Sequence, residues 1–173
     1  TGHSMGGTIA ILAALASARV KATITLDPVD PSMNCNPTDC PDASSLTGGL
    51  GIPTGFLGET TDATAGGFGQ ACAPAADNFT TFYDAAGSPS IEIDVAGANH
   101  MSFLDDVASC GFVCGFCNAA TASNANLNAL AKATVTAFYE RYLRGETAYD
   151  TYLTGTEAQS RYVSTGEATI VAK

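Results

Sequence analysis

Positive charge is scarce in this 173-residue chain: seven Lys and Arg face seventeen Asp and Glu, a formal net charge of −10. A surface of that sign repels phosphate backbones and anionic headgroups, so nucleic acids and acidic membranes are poor partners. Long apolar runs are missing too. The richest stretch, Ile9 to Ala16, gives way to Ser17 and Arg19, short of the roughly 18 residues that a membrane span needs, and the expectation is a soluble protein. Charged residues make up only 14% of the chain, against about a quarter in an average globular domain. With 46% apolar residues this is neither a disordered nor a coiled-coil composition. The length suits one domain, residues 1–173, with a sizeable core.

The first residues, Thr1-Gly2-His3, do not form a signal peptide and there is no initiating Met, so an upstream segment is expected to have been removed. Six cysteines, few lysines and many Gly, Ser, Thr and Asn point to an exported, secreted protein.

Gly6 to Arg19 is rich in Ala, Leu and Ile without Pro and predicts a buried helix. Val20 to Leu26 alternates and is β-branched, a strand that ends at Asp27-Pro28. Pro31 to Leu50, with its Pro, Cys, Asn, Asp and Gly, predicts a long irregular loop. Ile52 to Gly58 predicts a strand, Thr60 to Pro74 a loop, Asp77 to Ala86 an Asp-capped helix, and Ile91 to Val95 a strand. Asn124 to Leu143 has the clearest helical spacing, with Gly145 as its stop. In the tail from Glu146 to Lys173, Tyr149, Tyr152 and Leu153 offer an anchor. The order predicts an α/β fold of parallel strands with flanking helices.

Chemistry concentrates at Gly2-His3-Ser4-Met5-Gly6, which matches G-x-S-x-G, the nucleophile elbow of the α/β-hydrolases. The turn lifts the Ser4 hydroxyl clear of the backbone, and side chains at Gly2 and Gly6 are expected to collide with neighbouring elements. The Met5 N–H, at the start of the following helix, is placed to hold an oxyanion. Of the two histidines, His3, on a turn where its side chain points away, reads as a residue that packs or that supports the site without touching the reacting atoms. His100 follows a strand, where a general base is needed. For the acid that orients His100, Asp27 and Asp62 each follow a strand and Asp30 is near, while Asp94, Asp105 and Asp106 read as solvated or capping charges.

The elbow, Leu26-Asp27-Pro28-Val29-Asp30, Cys72-Ala73-Pro74 running to Phe82-Tyr83, and Asn99 to Asp106 together resemble the chlorophyllase branch of the α/β-hydrolases. That branch, like the related platelet-activating-factor acetylhydrolases, takes its acid from the strand before the usual one, which implies Asp27. The elbow, the stretch from Phe82-Tyr83 to His100 and the final helix running into Tyr149 to Leu153 also resemble bacterial cutinases and polyester hydrolases, where the matching acid is Asp62. The Asp27 segment is the more distinctive. Members of both families carry strands before the elbow and a loop that supplies a second oxyanion N–H. The chain therefore resembles a carboxyl-terminal half, with the amino-terminal part of the same fold as its expected partner.

Cys110, Cys114 and Cys117 have spacing that a metal could use, but no histidine is close in sequence, and disulfides fit export better. Cys35 and Cys40 are expected to staple the long loop, and Cys72 to join the later cluster. Asn78-Phe79-Thr80 fits a glycosylation sequon. Gly66 to Gly69 lacks the setting of a phosphate loop. Phe103, Phe112 and Phe116 either line an acyl pocket or pack against the disulfides. These readings combine into a secreted serine ester hydrolase acting through Ser4, His100 and Asp27 on hydrophobic esters, with no metal and no organic cofactor. A cutinase-like polyester hydrolase and a non-catalytic half-domain that needs a partner segment are the alternatives.

Overall fold

The computed structural model describes residues 1–30, 36, 39–66 and 71–173. Four strands form one sheet in the order β1 (Thr23–Leu26), β2 (Thr54–Gly58), β3 (Ser90–Val95) and β4 (Ala168–Ala172). The first three are parallel, and β4 runs antiparallel to β3. The register aligns Leu26, Leu57, Ile93 and Ile170 in one row across the sheet. All five residues of β2 are buried, as a strand covered on both faces requires.

Alternation along the strands sends residues to two cores. Ile24, Leu57, Ile91, Ile93 and Val95 pack with Leu127, Leu130, Ala137 and Phe138 of α4 (Asn124–Arg144). On the other face Phe56 packs with Ile11 of α1 (Met5–Ala16), Ala43 of α2 (Ala43–Leu46), and Phe79 and Phe82 of α3 (Phe79–Ala85). The result is three layers, helix, sheet and helix. α4 stops where expected, with Gly145 in the left-handed region at φ 78°, although Leu143 at its end is exposed.

Several expectations are corrected. α1 is not a buried helix: Gly7, Thr8, Ile11 and Ala14 face inward, whereas Met5 and Ile9 are 59% and 58% exposed. Apolar composition all round obscured which stripe meets the sheet. The span predicted as irregular loop contains α2 and a 3₁₀ turn, Thr47–Gly49. These are too short to leave a periodic signal, and two acids build the start of α2. Asp42 accepts from the Ser45 N–H, and Asp30 from the N–H groups of Ala43 and Ser44. α3 is capped by Asn78, not by an Asp: its Oδ1 accepts from the Thr80 N–H at 3.1 Å and the Thr80 hydroxyl at 2.7 Å.

The three predicted strands are parallel as expected, and a fourth that the sequence did not signal runs antiparallel. The tail adds α5 (Asp150–Leu153), α6 (Thr156–Ala158) and β4. β4 is a mostly exposed edge strand, so it lacks the continuous apolar run that marks a buried one. Tyr149 and Leu153 do pack on the α4 core, while Tyr152 is exposed. Among the described residues no helix is long and apolar enough to cross a membrane.

Candidate active site

Ser4 sits on the turn into α1. The preceding residues pair with β1 through a parallel bridge between His3 and Leu26. The Ser4 N–H donates to the Leu26 carbonyl at 3.0 Å, and the Leu26 N–H to the Gly2 carbonyl at 2.9 Å. These bonds hold Ser4 at φ 56°, ψ −129°, a strained region for a residue with a Cβ. Gly2 is required, because a Cβ there would run into the Gly6 backbone. The expected collision at Gly6 is not found: a Cβ at Gly6 meets nothing within 4 Å. Gly7 is the crowded position instead, its Cβ site lying 2.9 Å from Pro28 Cβ. Met5 opens α1, so its N–H belongs to the turn that has no intrahelical acceptor.

The carboxyl ends of the three parallel strands converge on Ser4, the usual place for a site in an α/β sheet. Asp27 follows β1 directly. Its N–H donates to the Leu57 carbonyl at 2.6 Å, and the residue adopts φ 42°. The fully buried Asp27 carboxylate accepts from His100 Nδ1–H at 2.6 Å. With Nδ1 carrying that proton, His100 Nε2 is left to accept from the Ser4 hydroxyl, at 2.9 Å. Gly58, which sequence reasoning passed over, makes room for this: a Cβ there would strike the Phe79 ring and lie 2.8 Å from Asp27 Oδ1. Burial pushes the Asp27 carboxyl above its usual range, and the His100 hydrogen bond pulls it back.

Asp62 is brought to the same loop cluster but holds main chain, not ring. Its Oδ2 accepts from the His100 N–H at 2.9 Å and its Oδ1 from the Asn118 N–H at 2.6 Å. Asn118 Nδ2 donates back to the carbonyls of Thr61 and Thr64, and Asn99 Nδ2 donates to the Asn118 carbonyl. The Cys72–Cys117 disulfide bonds the residue next to Asn118 to a segment whose Ala73 N–H reaches the Asp62 carbonyl. Asn118, Asn99 and Glu59 are the participants that sequence reasoning missed. Asn118 acts through contacts distant along the chain, while Glu59 meets the Asp62 N–H and Asn99 the Ser102 hydroxyl only three residues on, short-range pairings that carry no catalytic signature.

His3 takes the supporting place, although its side chain turns toward His100 and not away. Its ring centroid lies 4.7 Å from that of His100, and its Nε2–H donates to the His100 carbonyl at 2.8 Å. Burial, and then the proximity of His100, depress its pKa to about 4. Asp30 serves α2, and Asp106 caps Ala108. Asp105 forms an exposed ion pair with Lys132, and Asp94 accepts from the Thr60 hydroxyl. Phe103 is buried in the α4 core, 6.0 Å from the His3 ring, whereas Phe112 and Phe116 form an exposed edge-to-face pair.

Cys110 pairs with Cys114 and Cys72 with Cys117, and Cys40 is also disulfide-bonded. The expectations for Cys35 and for Gly67, Phe68 and Gly69 fall outside the described residues. Among the described residues, one cluster brings three potential metal-ligand atoms within 4.8 Å, from Asp62, Cys72 and Cys117. Its two sulfurs are bonded to each other, which removes the thiolates that a metal would need.

No curated protein matches the chain. The family model for chlorophyllase matches residues 1–160. That span takes in the elbow, both acid-bearing strand ends and the histidine loop, and it leaves out the end of the helical turn Gln159–Val163, the turn after it and the final edge strand. A strained serine between a short parallel bridge and a helix, on a sheet with helices on both faces, is what a hydrolase of this architecture displays, and the chain belongs to the chlorophyllase family of the α/β-hydrolases.

Proposed function

We propose that the protein is a secreted serine carboxylic-ester hydrolase for hydrophobic esters. The observation that carries this reading is the hydrogen-bonded series from the Ser4 hydroxyl to His100 Nε2 (2.9 Å) and from His100 Nδ1 to Asp27 Oδ2 (2.6 Å). His100 takes the proton as Ser4 Oγ attacks the ester carbonyl, and Asp27 stabilises the imidazolium that forms. The Met5 N–H donates to the tetrahedral oxyanion. His100 then protonates the departing alkoxide, leaving an acyl-enzyme that water opens by the same route in reverse. No step calls for a metal or an organic cofactor. Disulfides are compatible with export. The match to the chlorophyllase family model supports a hydrophobic ester as substrate.

The partner in this reading is an amino-terminal part of the same fold. It would cover the exposed apolar face of α1 at Met5 and Ile9 and supply a second oxyanion donor. A fluorophosphonate probe is expected to label the protein at Ser4, and Ser4→Ala and His100→Ala to abolish labelling. Well-folded protein that does not label is a non-catalytic domain instead. Parallel assays on short-chain esters, long-chain esters and a polyester film separate a chlorophyllase or lipid-esterase type, the expected result, from a cutinase type.

A further inference from the structure

Glu59 has no part in that mechanism, yet it lies fully buried behind the site, one residue beyond β2. Its Oε2 accepts from the Asp62 N–H at 2.9 Å, while its Oε1 has no hydrogen-bond partner. Its own N–H donates to Asp27 Oδ1 at 3.4 Å. Glu59 thus touches both acids of the site, one through its main chain and one through its side chain. Three carboxyl groups, those of Asp27, Glu59 and Asp62, are wholly withdrawn from solvent here. Asp27 and Asp62 each use both oxygens as acceptors. Glu59 alone leaves one oxygen orphaned, a large cost for a buried anion and a smaller one for a neutral acid.

We propose that Glu59 is a positioning residue for His100 and works as the neutral acid: its carboxyl fixes the Asp62 main chain, Asp62 clamps the His100 main chain, and the negative charge facing the imidazole is left to Asp27. The titratable groups that face Glu59 are Asp27 from the end of β1 and Asp62 from its own loop, with His100 beyond Asp27. Burial first, and then the charge of Asp27, raise the Glu59 pKa to about 8. At alkaline pH a further negative charge, beside those of Asp27 and Asp62, therefore appears behind the histidine.

The inference rests on reading His100 as the general base, so its test has two readouts on the intact protein. One is the NMR resonance of the His100 Nδ1 proton and the other is ester hydrolysis, both followed from about pH 5 to about pH 10. In the unaltered protein both are expected to change with an inflection near pH 8. Glu59→Gln, which keeps an acceptor for the Asp62 N–H, is expected to retain kcat within about 3-fold at neutral pH and to lose the inflection in both readouts. Glu59→Leu, which cannot accept, is expected to lose about 10- to 100-fold in kcat with KM little changed. The proposal is overturned if Glu59→Gln falls as far as Glu59→Leu, if Glu59→Leu keeps full activity, or if the inflection persists in Glu59→Gln. Should Glu59→Leu fail to fold, the inflection in Glu59→Gln decides alone. Should the unaltered protein hydrolyse no ester, the hydrolase reading fails by itself and the NMR comparison still decides the role of Glu59.

Discussion

The ends of β1 and β2 carry the same pattern, an acid directly after the strand and a second three residues on: Asp27 with Asp30, and Glu59 with Asp62. At the first end the leading acid takes the imidazole of His100, and the trailing one anchors α2 through two N–H groups. At the second the leading acid orders its own loop, and the trailing one takes the His100 main chain. Side-chain reach contributes to the division. Asp27, short and held at φ 42° by the Leu57 carbonyl, points across the vacancy left by Gly58 toward the ring, whereas Glu59 folds back on the loop. Equal spacing therefore does not mean equal roles, and a carboxylate near a histidine is to be judged by which atom it meets.

The sharpest way to break this comparison is to remove the two rival acids in turn. Asp27→Ala is expected to lower kcat/KM by about 10³- to 10⁴-fold, as loss of the group orienting a catalytic imidazole does elsewhere. Asp62→Ala is expected to cost about 10- to 100-fold through a displaced histidine, with a thermal transition clearly lowered because two N–H groups lose their acceptor. Steady-state kinetics on one soluble ester compares them. A reversed order makes Asp62 the acid, as the cutinase likeness implied.

Next in size is the response of stability to pH. Glu59 keeps its proton to about pH 8 in the folded chain but releases it near 4.5 when unfolded. Through that window the native state binds more protons, and stability falls as pH rises, by about 1.4 kcal/mol per pH unit for one proton. Glu92, raised to about 7 by burial and then by Asp84, and Asp30, raised to about 6 by burial, act in the same direction over shorter windows. His3, depressed from 6.5 to about 4, acts oppositely below pH 6.5. Thermal midpoints are therefore expected to fall between pH 7 and 8, and Glu59→Gln to flatten that fall. Midpoints that fall equally in both proteins contradict the assignment to Glu59.

The smallest effect belongs to the second acid of the first pair. Asp30→Ala removes the acceptor for the start of α2, and is expected to cost about 1–2 kcal/mol in urea unfolding while kcat changes little. A large loss of kcat would draw Asp30 into the site.

Much of the fold and site was legible in the residues themselves. Gly2 to Gly6 announced the turn, β-branched alternation announced β1 and β3, and the spacing from Leu127 to Phe138 announced α4. The illegible parts share a cause. The inward stripe of α1 is hidden by Ala, Leu and Ile on every side, and α2 is a four-residue turn made stable by Asp30 from thirteen residues away. β4 is an edge with little to bury. The roles of Asn99 and Asn118 need segments far apart in the chain, which the Cys72–Cys117 disulfide ties together, and the role of Glu59 shows only once its neighbour Asp62 meets the His100 main chain.

His3 precedes Ser4 in the chain, yet its imidazole is tethered to the carbonyl of residue 100. A drift of the elbow against the sheet thus drags the histidine loop with it. Ser4 and His100 are yoked, and their separation is buffered against motions that would otherwise pull one from the other.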